Sequence, residues 1–315
     1  MSHRSVTSPL RLGTRGSPLA LRQAEEVKAR LAAAHGLAAE AVEIVPILTT
    51  GDREQTRPLA EIGGKGLFAL EIERALAAGE IHMAVHSMKD VETVIPARFR
   101  IAAMLPRETA SDAWLSPVAA HPRDLPHGAV VGTASLRRGA QIKAMRPDLE
   151  IVNFRGNVQT RLAKLARGEV AGTLLALAGL NRLGLAAEAD AVLGPPEMIP
   201  AVGQGAIGVE VRAGDAQTAA LAAALDDADT RDCVACERAM LAELDGSCRT
   251  PVGGHARLVE GGSRIALEAV LLTPDGAHAF RFSGSAARND GMALGRDAGR
   301  HLKSQAGGLI ASILG

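Results

Sequence analysis

Aromatic side chains are nearly absent from this sequence. Its 315 residues include no tyrosine, one tryptophan (Trp114) and five phenylalanines, together 2% of the chain. Proteins that bind single-stranded nucleic acids usually stack the bases on aromatic side chains, so the composition argues against that class. Because 47% of the residues are hydrophobic, we expect a large core made of Ala, Leu, Val and Ile.

An excess of charge of either sign is also missing. The 35 Lys and Arg residues balance the 35 Asp and Glu residues. Proteins that bind nucleic acids or anionic membranes by general electrostatic attraction usually carry a basic excess. We therefore expect neither partner, and any recognition of anions must come from local clusters of arginine.

Long apolar runs are lacking too. The sequence contains no run of 18 apolar residues, so no transmembrane helix is expected. The stretch MSHRSVTSPLRLG at the beginning has no apolar signal core. Three cysteines fit a reducing compartment, where disulfides rarely persist. Together these features predict a cytoplasmic protein.

Strand and helix patterns alternate along most of the chain. The predicted strands lie at 11–14, 42–50, 81–87, 129–133, 150–154 and 171–179. This alternation is typical of an α/β fold with mainly parallel sheets. After residue 225 the pattern changes to a helix at about 228–244, three strand-like runs and a helix near 293–313, which predicts a small α+β domain. A chain of this length is expected to form two or three domains.

Arginine recurs where a predicted strand runs into a helix. The junctions are TRGSPLA with Arg15 and the N-cap Ser17, VGTASLRRG with Ser135, Arg137 and Arg138, and FRGNVQTR with Arg155, the N-cap Asn157 and Arg161. Backbone N–H groups at a helix N-terminus attract anions, and arginine there runs against the usual charge preference. Together the junctions predict one pocket for carboxylates or phosphates. Any single arginine, taken alone, is better explained by a surface salt bridge.

Another polar group follows an apolar strand at AVHSMKDV, which contains Ser87, Lys89 and Asp90. Ligands of open α/β sheets bind at the carboxyl ends of strands. A carboxylate among arginines could stabilise a cation or transfer a proton, whereas the alternative is a solvated Lys–Asp pair. The loop GGKGLF (63–68) lacks the phosphate-binding-loop pattern, and we interpret it as a lid or a plain turn.

Cys248 lies in DGSCRTPVGG (245–254), a turn in which a cysteine is poorly placed to fill a core. A Cys₃His zinc site could be formed by Cys233, Cys236, Cys248 and His255. We disfavour zinc because RDCVACERAMLAEL is a helical pattern, where cysteine behaves as a small buried hydrophobic residue. No metal is therefore expected.

Several of these motifs, taken in order, resemble the porphobilinogen deaminase family. The matching segments are RLGTRGSPLAL, GGKGLFALEIE, AVHSMKDV, VGTASLRR, FRGNVQTRL, LAGLNRLGL, IPAVGQGAIGVE and DGSCRTPVG. They span residues 11–254, about three quarters of the chain. The combination is far more specific than any one motif.

The resemblance implies a transferase of tetrapyrrole and heme biosynthesis. Members of the family condense four porphobilinogen molecules head to tail, release ammonia at each addition and hydrolyse the product off as hydroxymethylbilane. The resemblance also implies a dipyrromethane cofactor joined by a thioether to a cysteine, and Cys248 matches that cysteine. A monomer is expected.

The resemblance assigns roles to further residues. Asp90 matches the catalytic carboxylate. The residues expected to hold the cofactor are Cys248, Ser87, Lys89, Asp90, Thr133, Ser135, Arg137 and Arg138. Those expected to hold the substrate or adjacent rings are Arg15, Ser17, Arg155 and Arg161, with Arg182 helping as the chain grows. Lys65 and Phe68 match a mobile loop, and Gln204 matches a hinge.

The family fold that this resemblance implies has three domains. The first two are similar to periplasmic binding proteins, with mainly parallel sheets and a cleft between them. The expected boundaries are 8–105 plus 203–224 for the first, 106–202 for the second, and 225–315 for the third, an α+β domain that carries the cofactor cysteine. Ala134 and Ser247 depart from the residues that the family often has there, but neither change removes a group that the reaction needs.

Two functions from other classes are alternatives. A passive anion-binding protein could share the same cleft, but it would need neither the catalytic carboxylate of Asp90 nor the thiol of Cys248. A zinc-dependent hydrolase would need a metal ion bound by the three cysteines and His255.

Overall fold

Three β-sheets organise the chain. The structure, a computed structural model, describes residues 9–53, 67–246 and 250–314. Two of the sheets have five strands each and mix parallel with antiparallel pairs, and the third has three antiparallel strands. The predicted α/β fold with a smaller α+β part is confirmed.

The first sheet takes its strands from the beginning and the end of the α/β part of the chain. In spatial order its strands are β2 (Val42–Ile47), β1 (Leu10–Arg15), β3 (Met83–Ser87), β10 (Ile207–Arg212) and β4 (Phe99–Met104). The helices beside it are α1 (Pro18–His35), α2 (Thr50–Arg53), α3 (Leu70–Ala78) and α7 (Ala216–Ala223). Apolar side chains of α1 and α7 cover one face, and those of α3 cover the other.

The second sheet is built from the middle of the chain. In spatial order its strands are β7 (Glu150–Val152), β6 (Val130–Gly132), β8 (Gly172–Ala176), β5 (Asp112–Leu115) and β9 (Ala191–Leu193). Its helices are α4 (Leu136–Met145), α5 (Val158–Ala166) and α6 (Leu177–Leu183). The α4 side contains the buried Trp114, and α5 and α6 cover the opposite side.

Both large sheets follow one scheme. In spatial order, the first three strands of each sheet are parallel. The fourth strand, β10 in the first sheet and β5 in the second, pairs antiparallel with both of its neighbours. The strand–helix alternation predicts mainly parallel sheets, which agrees with these three strands of each sheet only. It does not anticipate the antiparallel pairs, because β5 and β10 arrive through segments 105–111 and 194–206 from the other sheet, without a crossover helix that would make them parallel.

Local signals set the helix ends as predicted. The N-cap oxygens of Ser17, Ser135 and Asn157 accept the N–H groups of Ala20, Arg138 and Thr160 at 3.3, 3.4 and 2.8 Å. Gly36 ends α1 with a φ of 61°. The predicted strand at 171–179 is shorter in the structure, since residues 177–179 begin α6. An apolar run of this kind has no period that would separate a buried strand from a buried helix.

The third sheet consists of β11 (Val252–Val259), β12 (Arg264–Leu272) and β13 (Ala279–Ala287). Helices α8 (Ala228–Glu243) and α9 (Gly291–Ala306) pack on one face of it, and α10 (Ile310–Leu314) follows. Cys233 and Cys236 lie buried on α8, which confirms the helical prediction. Burial raises the pKa of their thiols to about 11 and about 12.

The described part of the chain contains neither a candidate metal cluster nor a candidate membrane span. No group of three or more His, Cys, Asp or Glu side chains in it is arranged to hold a metal ion. No helix in it combines the length and the apolar character needed to cross a bilayer.

A buried carboxylate on α8 connects the three sheets. Glu237 is 0% exposed. It accepts hydrogen bonds from the guanidinium of Arg107 at 2.6 and 3.2 Å, from the N–H of Gly203 at 2.7 Å and from the N–H of Ala256 at 2.8 Å. Arg107 lies on the segment that leaves the first sheet and Gly203 on the one that returns to it, while Ala256 belongs to the third sheet. One side chain therefore holds both connections against α8.

Replacing this carboxylate should weaken the whole assembly. In Glu237→Gln the amide nitrogen must face a backbone N–H, and Arg107 loses its counter-charge, so we expect the free energy of unfolding to fall by about 3 kcal/mol. The measurement is urea unfolding followed by circular dichroism. Glu243→Gln on the same helix removes a surface pair with Arg300 at 3.6 Å and should cost less than about 1 kcal/mol. Equal losses in the two variants would contradict this role of Glu237.

Candidate functional site

A cavity of about 570 Å³ lies at the carboxyl ends of strands from the first two sheets. Residues that follow β1, β3, β6 and β7 contribute to its wall, as expected for open α/β sheets. The predicted site residues that line it are Arg15, Ser17, Phe68, Ser87, Lys89, Asp90, Ser135, Arg137, Arg138, Arg155, Arg161 and Gln204.

Asp112, at the start of β5, neutralises part of the positive charge in the wall of this cavity. Its carboxylate is 0% exposed and accepts Arg137 Nη2 at 2.8 Å and Arg138 Nη2 at 2.7 Å. Burial alone would raise the pKa of Asp112, but the charges and hydrogen bonds of both guanidinium groups outweigh it and hold that pKa well below its usual range. Asp112 was not predicted from the sequence. The only hint was the pair of adjacent arginines at a helix start, which needs a buried partner.

The same carboxylate reaches the hinge residue that the sequence predicted. Gln204 Nε2 donates to Asp112 Oδ1 at 2.8 Å and to the carbonyl of Ala110 at 2.5 Å. Gln204 is 1% exposed. The returning segment is thereby bonded to the leaving one directly beneath the cavity.

Donors remain unused around this pair. Arg137 Nε is buried and has no hydrogen-bond partner, although the Nη atoms of Arg137 reach Asp112 and the carbonyl of Ile199. Arg138 also donates to the carbonyl of Leu174 at 3.0 Å. The two guanidinium groups are therefore fixed in position, and they still exceed the charge of Asp112 by one.

Two further cations, Lys89 and Arg161, lie in the wall. Among the described residues, none forms a hydrogen bond or ion pair with the side chain of Lys89 or of Arg161, and Arg161 Nε is buried. Burial, together with the charge on Arg138, lowers the pKa of Arg161, yet a guanidinium stays protonated at neutral pH. Burial also lowers the pKa of Lys89 to about 8, although Asp90 favours its charged form.

Arg15 lines the cavity and contacts three other lining residues. Its guanidinium pairs with Asp52, approaches Asp90 Oδ2 at 3.7 Å, and stacks over the ring of Phe68 with its carbon 4.2 Å from the ring centre. Ser17 lines the cavity as the N-cap of α1. The loop residue Phe68 thus contacts the same arginine that reaches Asp90.

Arg155 is buried in the wall, with 8% of its surface exposed. One of its contacts is a hydrogen bond from Nη2 to the carbonyl of Gly51 at 3.4 Å, across to the first-sheet side. Ser87, at the end of β3, exchanges hydrogen bonds with Gln23 on α1 at 2.9 and 3.1 Å. Ser135 both lines the cavity and caps α4.

Two predicted residues lie away from the cavity wall. Thr133 is buried behind Ser135, where its hydroxyl accepts the N–H of Ser135 at 3.1 Å. Arg182 on α6 pairs with Glu26 on α1 at 3.4 Å and donates to the carbonyl of Gly205 at 3.1 Å. It joins the two α/β parts on another side.

Two predictions fall outside the described residues, namely Lys65 and Cys248. Of the described residues on either side of Cys248, Gly246 and Thr250 are both buried, and Thr250 lines the cavity. Sequence reasoning did not single out Arg238, which also lines the cavity. It lies within a helical pattern and carries no motif signal.

The arrangement suits a ligand with several carboxylates. Arg137, Arg161 and Lys89 present buried or partly buried donors that the described residues leave unsatisfied, and such groups are costly unless an anion pairs with them. Asp90 lines the same cavity, as do the acidic residues Asp52 and Glu92. A dianionic or more highly charged organic ligand fits this donor set.

The chain is similar to proteins of known sequence and of known structure. Porphobilinogen deaminase from Paracoccus denitrificans is 54% identical over 299 residues, which cover 95% of this chain and 95% of the relative. Porphobilinogen deaminase from Nitrobacter hamburgensis is 52% identical over 296 residues, 94% and 93% of the two chains. Among solved structures, a putative methionine-binding lipoprotein from Bacillus subtilis matches with a TM-score of 0.43 and 12% identity, over 71% of this chain and 93% of that one.

Family models match two consecutive regions. Residues 10–220 match the model described as porphobilinogen deaminase, dipyromethane cofactor binding domain, and residues 232–304 match the model of the C-terminal domain. The two matches cover most of the chain, and the relatives exceed half identity along nearly its whole length. The chain therefore belongs to the porphobilinogen deaminase family.

Proposed function

We propose that this chain condenses four porphobilinogen molecules head to tail, with loss of ammonia at each addition, and releases hydroxymethylbilane by hydrolysis. The observation that carries the proposal is the cationic wall of the cavity that also holds Asp90. Among the described residues, Lys89 and Arg161 have no ion-pair partner there, and the buried Nε of Arg137 has no hydrogen-bond partner. Each porphobilinogen brings one acetate and one propionate. A growing chain thus multiplies the carboxylates that such a wall can pair with.

The same donors fit the dipyrromethane that the family model names. We propose that Cys248 carries it through a thioether and that Ser87, Lys89, Asp90, Ser135, Arg137 and Arg138 hold it, with Thr133 supporting Ser135 from behind. When bound, it supplies the electron-rich pyrrole end from which the product is extended. The buried, unpartnered Nε of Arg137 supports this fit, since a carboxylate would satisfy it.

Asp90 is the proposed catalytic group. Its carboxylate faces the cavity next to Arg15, where it accepts hydrogen bonds from pyrrole N–H groups and stabilises the positive charge that develops as ammonia leaves. In a cavity of low dielectric such a fixed charge acts more strongly than it would in water. Arg15 orients the carboxylate and Asp52 orients Arg15.

The remaining cations are proposed to bind incoming substrate. Arg15, Ser17, Arg155 and Arg161 line the cavity and can pair with its acetate and propionate. Arg182 lies outside the wall, so we propose that it contributes through the contact between α1 and α6. The contact of Phe68 with Arg15 supports a role for the loop of Lys65 and Phe68 in substrate binding.

We extend the proposal to the organisation of the chain. The strand membership of the three sheets supports domains at 8–105 plus 203–224, at 106–202 and at 225–315, with Gln204 as the hinge. A monomer in the cytoplasm that acts on a small molecule, without a nucleic-acid or membrane partner, agrees with the neutral net charge and with the missing aromatic surface.

The tether can be tested by intact mass. We expect the purified chain to exceed its sequence mass by two condensed porphobilinogen units and the Cys248→Ser variant to show the bare mass. The thiolate is the nucleophile that such a thioether needs. A Cys233→Ser variant, which alters a buried helical thiol, should keep the excess.

A bare wild-type mass calls for one further step. Porphobilinogen is added and the mass is recorded again. A gain supports the proposal, whereas a chain that binds the compound reversibly and never gains mass is a passive anion binder.

Asp90→Asn keeps the shape of the side chain and removes its charge. We expect turnover to fall by at least about 10²-fold, because a preorganised charge at the reacting centre is lost. Formation of hydroxymethylbilane is measured beside a circular dichroism spectrum that checks the fold. Asp297→Asn, at an exposed position on α9, is the matched control, and activity of Asp90→Asn near the control level would refute the assignment.

Substrate binding should depend on pH through Lys89. Its pKa of about 8 means that the ammonium is charged below that pH and neutral above it, and a carboxylate ligand favours the charged form. We expect the KM for porphobilinogen to rise up to about tenfold from about pH 7 to about pH 9.5. In Lys89→Arg, which stays charged, this rise should disappear. A rise that persists in the variant would assign it to another group.

A further inference from the structure

The backbone directly after Asp90 is bonded to the helix of the third sheet. Arg238 on α8 donates from Nη2 to the carbonyl of Glu92 at 2.6 Å and to the carbonyl of Thr93 at 3.0 Å. Its Nη1 lies 3.4 Å from the carbonyl of Val91. A planar guanidinium that spans successive carbonyls fixes the course of the backbone, which a lysine with its single ammonium cannot do in the same way.

An apolar contact supports the same docking one turn earlier on α8. Val234 is 0% exposed and packs in one cluster with Met88, which begins the short helical turn that ends at Asp90. Residues four apart share a face of a helix, so Val234 and Arg238 present one surface of α8 to residues 88–93. The turn that holds Asp90 thus rests on α8 both through apolar packing and through hydrogen bonds.

A second bond leads from this backbone towards the cysteine. Thr93 Oγ1 donates to the carbonyl of Gly246 at 2.8 Å. Gly246 is buried and lies two residues before Cys248 in the sequence, and two residues of chain span at most about 7 Å. The carbonyl that Thr93 binds is therefore close to the cysteine along the chain.

We infer that Arg238 and Thr93 form a clamp, together with the carbonyls of Glu92, Thr93 and Gly246, that holds the start of the cysteine turn in register with Asp90. Both are positioning residues, since neither is proposed to touch the reacting atoms. The effect of the clamp on the reaction rests on the proposed function, whereas its contacts do not depend on that function.

The clamp separates two groups of cavity residues. Asp90 and Gly246 belong to one unit that spans the first and third sheets. Arg137, Arg138 and Arg161 stand on α4 and α5 of the second sheet. A clamp that orders only the first unit should affect alignment of the thiol with Asp90 while leaving the affinity for carboxylates unchanged.

Thr93→Val tests the clamp with little change in shape. The full-length chain is produced without porphobilinogen, the compound is then added, and the gain in intact mass is followed with time. We expect the rate of gain to fall about two- to tenfold, the range that one lost hydrogen bond supports. In the loaded enzyme kcat should fall and KM should stay constant, a split that a general loss of stability does not produce.

Amide hydrogen exchange provides a readout that does not depend on the proposed reaction. In Thr93→Val, amides within 91–93 and 241–246 should exchange faster than in the wild-type chain, while the midpoint of thermal unfolding stays close to the wild-type value. Arg238→Ala should give a larger effect of the same kind, and Arg238→Lys should restore part of the rate. Ser263→Ala, which removes a hydroxyl bonded to the carbonyl of Glu260 at 2.8 Å, is the control and should change neither quantity.

The outcomes distinguish the clamp from the proposed function. If the wild-type chain gains mass and Thr93→Val gains it at the same rate, the clamp is refuted and the function stands. If the wild-type chain never gains mass, the function fails, and exchange alone decides on the clamp. Faster exchange in the two segments then supports it, and unchanged exchange refutes it.

Discussion

Burial of positive charge is the constraint on which this structure depends. Arg137 and Arg138 lie at 4% and 5% exposure, where an uncompensated guanidinium would be very costly. Asp112 makes their burial tolerable with one carboxylate for two cations. One positive charge of this pair therefore remains unbalanced beside the cavity, which Lys89 and Arg161 also line. The fold thus leaves positive charge at the place where we propose that anionic ligands bind.

The same carboxylate ties this charge balance to the architecture. Asp112 begins the strand that enters the second sheet, and it also binds Gln204 on the segment that returns to the first. Glu237 has a similar role on α8, since its two carboxylate oxygens bind Arg107, Gly203 and Ala256 of the third sheet. Two buried carboxylates therefore stand at the junction of the three sheets, one towards the cavity and one towards α8.

Much of the fold follows from local sequence signals. Ser17, Ser135 and Asn157 cap the helices as predicted, because capping depends on neighbouring residues. The arginines at the strand ends come together because parallel strands bring their carboxyl ends to one edge. Asp112 and Arg238 could not be foreseen in this way. Their partners lie 25 to 147 residues away in the chain, and pairing over such distances depends on tertiary packing that no local pattern encodes.

The two segments between the large sheets run side by side, bonded through Glu108 and Gly205 and through Ala110 and Gln204. A domain attached through one connecting segment can rotate about several axes. A domain attached through two adjacent segments rotates readily about the line that joins them and resists rotation about other axes. The paired connection therefore favours one rotation of the second sheet against the first over all others, and this rotation would leave the order of the arginines on α4 and α5 unchanged.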